Sequence, residues 1–102
     1  MKFVIIQCVK AYHHELEQIF RTIKISAYSE MDVEGFMEQA DGNTTFSNWF
    51  GSQKNPYNYM VSFMFLAEDK ADELLNRVDE FNHGIEAMSP INAYTVGVER
   101  FV

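Results

Sequence analysis

The sequence predicts one α+β domain whose elements follow the order βαββαβ, folded as a four-stranded antiparallel sheet with two helices on one face. Three observations carry that reading. Residues 2–10 and 57–67 are dense in β-branched and aromatic side chains on both alternating sets. Residues 12–24 and the stretch from Asp69 to His83 repeat apolar residues at helical spacing. The chain has 102 residues, of which 47% are hydrophobic and 15% aromatic, which is ample for one core and short for two domains. Residues 1–102 are therefore read as a single domain.

The elements follow in order. In KFVIIQCVK, Phe3, Ile5 and Val9 alternate with Val4, Ile6 and Cys8, so the first strand is apolar on both faces and belongs inside the sheet. Leu16, Ile19, Phe20 and Ile23 form the buried stripe of the first helix. A second strand is expected over 25–36, with Tyr28 and Val33 its clearest β-formers. There Glu30, Asp32 and Glu34 alternate with Met31, Val33 and Gly35, the pattern of one solvated face. Residues 37–56, MEQADGNTTFSNWFGSQKNP, have no usable period, and so long a stretch inside a compact domain is as a rule functional or mobile.

The third strand sets Tyr59, Val61, Phe63 and Phe65 against Met60, Met64 and Leu66. Asp69 is placed to cap the second helix, Asp72 and Glu73 suit its positive end, and Gly84 reads as its stop. Ala71, Leu74, Leu75, Val78 and Phe81 make the stripe, and a last strand runs over 91–101. Right-handed crossovers turn this order into the ferredoxin-like layout. Both helices then cover one face only, while the first, third and last strands keep large apolar residues on the other, Tyr94, Val96 and Val98 included. A monomer would leave that surface in water, so self-association is expected.

Composition narrows the function. Fifteen acidic residues against eight basic ones give a net charge of −7, with no basic run, which argues against nucleic acid and anionic membrane surfaces. The apolar start is too short for a membrane span and lacks a signal-peptide cleavage site, so neither membrane insertion nor secretion is expected, and a cytoplasmic location follows. One cysteine, Cys8, allows no internal disulfide. No nucleophile, base and orienting group can be assembled, and no arginine-bearing phosphate loop follows the first strand, so an enzyme is not expected.

The second-strand segment ISAYSEMDVEGFMEQ resembles that of PII signal-transduction proteins, in which a strand ends in Gly-Phe, here Gly35 and Phe36, and opens into a long loop. The order and lengths of the remaining elements match over nearly the whole chain. The resemblance implies a homotrimer with its sheets around the three-fold axis and a small effector, such as an adenine nucleotide, in a cleft between subunits. It also implies a protein partner, a transporter or regulator, met by the long loop. Carried onto this sequence, the ligand residues are Gly35, Phe36, Met37, Gln39 and Arg100. The aromatics Phe46, Trp49 and Phe50 are read as a partner-docking patch or as side chains folded back on the trimer.

This chain departs from the family pattern in its phosphate-binding residues. Met37 stands where a second glycine is expected. The family's lysine-bearing connection before the last strand is here His83-Gly84-Ile85-Glu86-Ala87-Met88-Ser89-Pro90, and only Arg100 remains of the cations after that strand. Weak or absent ATP binding is therefore expected. The alternative is a metal-responsive trimer of the CutA type. Against it, His13 and His14 point about 100° apart on a helix, and Cys8 reads as a core residue, so no metal site is assigned. Glu30, Asp32 and Glu34 could bind a hard cation, although a solvated strand face explains them as well.

Overall fold

The computed structural model describes residues 1–35, 59–85 and 89–102. Strand β1 (Lys2–Val9) runs into a 3-10 turn (Lys10–Tyr12) and helix α1 (His13–Thr22), followed by β2 (Ser29–Val33), β3 (Tyr59–Leu66), α2 (Glu68–Ile85) and β4 (Asn92–Gly97). The strands form one sheet in the order β2-β3-β1-β4, with every neighbouring pair antiparallel. The predicted α+β, ferredoxin-like βαββαβ fold is the one observed.

Side-chain period separates the two faces. Val4, Ile6 and Cys8 of β1 and Met60 and Met64 of β3 join Leu16, Phe20 and Ile23 and, from α2, Ala71, Leu74 and Val78 in one buried cluster. Each large side chain in that cluster contributes about 1.5–3 kcal/mol through removal from water. The other face carries Phe3, Ile5, Gln7 and Val9, which pair across to Phe65, Phe63, Val61 and Tyr59.

Helix α1 ends in a Schellman turn, with Ile25 N–H donating to Phe20 O at 2.8 Å and Lys24 N–H to Arg21 O at 3.1 Å. Lys24 occupies the left-handed position (φ 62°) that usually falls to glycine. Lys70 Nζ, 2.6 Å from Ile23 O, adds a cation to the same negative helix end.

That turn explains why β2 is shorter than the expected 25–36. Ile25 and Tyr28 pack against the core cluster, with the Tyr28 ring 4.5 Å from Phe20, and pairing begins only at Ser29 opposite Phe63. Helix α2 starts one residue before Asp69, whose Oδ1 accepts from Lys70 N–H at 2.9 Å, and continues through Gly84. Glycine marks a helix stop through its backbone freedom, yet it can also sit inside a helix at a modest cost in stability. Strand β4 stops at Gly97, short of the expected 101.

Candidate functional site

The topology gives the sheet two unlike ends. At the C-terminal end of β1 gather the 3-10 turn, the start of α1, the end of β2, the start of β3, the end of α2 and the start of β4. Both connections that hold the non-described residues leave from this end. Asn82 of α2 ties it together. Its Nδ2 donates to Ile91 O and its Oδ1 accepts from Ile91 N–H, both at 2.8 Å, so one side-chain amide satisfies a backbone donor and acceptor at the entrance to β4. The Tyr12 ring meets Phe81 edge-on at 5.4 Å beside it. No sequence signal marks the Asn82 clamp, because its partner lies nine residues away, beyond the end of α2.

Gly35 lies at this loop end, buried, two residues past β2. Phe36, Met37 and Gln39 fall outside the described residues, as do Phe46, Trp49 and Phe50. Arg100 is exposed beyond β4, at the opposite end and the opposite edge of the sheet. Strand spacing and rise put the ends of β2 and β4 that lead to Gly35 and Arg100 on the order of 25 Å apart within one chain. A single subunit therefore does not bring Gly35 and Arg100 together.

A polar cluster absent from the sequence-based expectation does form. By register, Glu30 and Asp32 stand with Ser62 and Met60 on the helix-covered face, while Met31 and Val33 stand on the other. His13 Nε2 is 3.0 Å from Glu30 Oε2, 3.2 Å from Glu30 Oε1 and 3.4 Å from Glu17 Oε1. Ser62 Oγ donates to Glu30 Oε2 at 3.3 Å, and Lys10 Nζ lies 2.9 Å from Asp32 Oδ2. Lys10, His13, Glu30, Met31, Asp32 and Met60 line a shallow cleft of about 380 Å³. The acids of β2 stay exposed as expected, and on that solvated face Glu30 and Asp32 are paired with His13 and Lys10. Because β2 is an edge strand, its acids can turn under the sheet rim and meet the basic residues at the start of α1. The signal was present in Lys10 and His13, but only the register shows that they share a face with the acids.

Cys8 is buried, and burial, reinforced by Glu30 and Glu15, pushes its thiol pKa up to about 12. It is a protonated core residue at neutral pH, a poor metal ligand and a poor nucleophile. His14 is exposed, and His83 engages Asp79 on its own helix at 2.8 Å. Among the described residues no three His, Cys, Asp or Glu side chains are grouped to hold a metal ion.

The uncovered sheet face is the largest anomaly. Phe3 stacks with Phe65 at 4.9 Å and meets Phe63 at 6.0 Å, and beyond them Phe65 is 57%, Val96 53% and Tyr94 39% exposed. Met31 on β2 is half exposed on the same face. Within it Gln7 is buried, with an Oε1 that has no hydrogen-bond partner.

No protein-family model matches the sequence, and no curated protein matches it. Solved structures do. A PII-like signalling protein from Thermus thermophilus superposes with a TM-score of 0.63 at 15% identity, over 93% of this chain and 83% of that one. CPII, a nitrogen regulatory PII-like protein from Thiomonas intermedia whose structure holds ADP, AMP and bicarbonate, superposes with a TM-score of 0.62 at 16% identity, over 99% and 94%. At such identities the likeness is one of fold. The fold of this chain is that of the PII-like signalling proteins, as the Gly35-Phe36 segment had implied.

Proposed function

We propose that the chain is a divergent PII-like regulatory protein, a cytoplasmic homotrimer that binds and signals without catalysing a reaction. The observation that carries this reading is the apolar open face on a sheet of PII-like fold. Phe3, Phe65, Tyr94 and Val96 form the kind of surface that soluble chains cover by association. Among the described residues no helix is long and apolar enough to cross a membrane.

In this reading the effector lies between subunits. Gly35 and the residues after it, Phe36, Met37 and Gln39, come from the loop end of one copy, and Arg100 comes from the far end of the next. Head-to-tail contact is the arrangement that lets two residues at opposite ends of a chain serve one cleft. The ligands held by CPII make AMP, ADP and bicarbonate the first compounds to try. With Arg100 the single cation assigned to the cleft, an anion of low charge suits it better than a triphosphate. Segment 37–56, with Phe46, Trp49 and Phe50, would meet the protein partner.

Calorimetry with AMP, ADP, ATP and bicarbonate tests the effector part. At least one of AMP, ADP and bicarbonate should bind more tightly than ATP, and Arg100→Ala should weaken that binding about tenfold or more. ATP as the tightest ligand, or binding indifferent to Arg100→Ala, would contradict the assignment.

A further inference from the structure

Gly35 lies two residues past β2 and Arg100 beyond β4, at opposite edges and opposite ends of one sheet. For both to serve one cleft, the surface beside Arg100 in one copy must face the surface beside Gly35 in the next. A head-to-tail contact of this kind joins two unlike patches, whereas a two-fold contact joins one patch to itself. The exposed apolar side chains next to the two residues therefore become candidates for the two halves of one contact.

Beside Arg100 that side chain is Phe101, its direct neighbour in the chain, 70% exposed. Beside Gly35 it is Met31, four residues earlier, half exposed and the one large apolar side chain that β2 leaves in solvent. By register Met31 stands on the open face, opposite Val61 and in the row of Gln7. None of the described strand residues on that face is charged. A ring from a second copy of this chain, whose net charge is −7, thus covers no unpaired charge when it settles there. We infer that Phe101 of one copy seats on Met31 of the next and so positions Arg100 at the cleft beyond Gly35, a contact that rests on the head-to-tail reading of that cleft. An unbranched thioether suits this task, since it adapts to the shape it meets and its sulfur makes favourable contacts with aromatic rings. Phe101 acts through the residue bonded to it and is a positioning residue. Within one chain the pair is out of reach. Met31 shares a row with Asn92 three strands across, and β4 ends five residues further on at Gly97, which separates Met31 from that end by on the order of 20 Å.

Cross-linking of the full chain tests the contact, since a disulfide forms only where two Cα atoms come within about 7 Å. The variant Met31→Cys/Phe101→Cys, oxidised and run on a non-reducing gel, should give covalent dimers and trimers, because each copy offers one member of the pair to each neighbour. Met31→Cys alone and Phe101→Cys alone should give no covalent trimer. As a second measurement, Phe101→Ala should raise the concentration at which the assembly half-dissociates about tenfold, and adding Met31→Ala should raise it less than about twofold further. An assembled protein in which the cysteine pair does not cross-link, or in which the two alanine effects simply add, would overturn this contact and leave self-association standing. A wild-type protein with the mass of one chain would overturn both.

Discussion

The two faces of the sheet are built from similar residues and meet different surroundings. On the helix side, Val4, Ile6 and Met64 are at most 3% exposed beneath α1 and α2. On the open side, Phe65 and Val96 lie one residue away in β-register and are more than half exposed. The sheet alternation places a side chain on one face or the other, and the covering layer decides what that side chain does. The covered face holds the chain together. On the open face Gln7 and Tyr59 are buried, whereas Met31, Phe65, Tyr94 and Val96 have no covering layer among the described residues.

Substitutions on the two faces should separate those roles. Phe20→Ala, which empties the covered side, should cost about 3–5 kcal/mol in urea unfolding at every protein concentration. Phe65→Ala should instead remove the concentration dependence of the unfolding midpoint, because it weakens association and leaves the core of each chain intact. If Phe65→Ala destabilised the chain as much as Phe20→Ala at all concentrations, the contrast between the faces would fail.

A smaller effect is expected where the layers join. Asn82→Ala strands the N–H and C=O of Ile91 at the start of β4 and should cost about 2 kcal/mol in the same unfolding measurement. A neutral result would mean that water replaces both bonds.

The smallest effect at neutral pH belongs to Cys8, on the covered face. Its thiol is held protonated, with a pKa raised from 9.0 to about 12, so above pH 9 the unfolded chain releases a proton that the folded chain keeps. Folding stability is therefore fully present below pH 9 and declines as pH rises from 9 towards 12. Between pH 8 and 9, below most of the ionisation of the unfolded tyrosines, whose ordinary value is 10.0, Cys8→Ala should show a flatter stability profile than the wild type. Parallel profiles would show that the thiol ionises freely in the fold.

Most of the fold was legible because it depends on period. The alternation in 2–10 and 57–67 and the stripes Leu16-Phe20-Ile23 and Ala71-Leu74-Val78 identify both the elements and their buried sides. The start of β2 was not legible, since Ile25 and Tyr28 are good β-formers that a left-handed Lys24 diverts into the core. The role of Glu30 and Asp32 was hidden for a related reason. Period shows that they share a face, but only the pairing of Glu30 with Ser62 and Asp32 with Met60 shows which face it is. Of the ligand residues implied by resemblance, Gly35 lies at the loop end of the sheet and Arg100 beyond the other end. In the proposed function they would meet only across two copies of the chain.

The central claim is that the open face is an interface between copies, and the mass in solution tests it most directly. Light scattering on the eluting protein should give about three times the 11.9 kDa of one chain. The double variant Phe65→Asp/Val96→Asp should elute as a folded single chain, since each charge falls where the assembly would bury it. A wild-type protein of 11.9 kDa, or a double variant that keeps the mass of the wild type, would contradict the account.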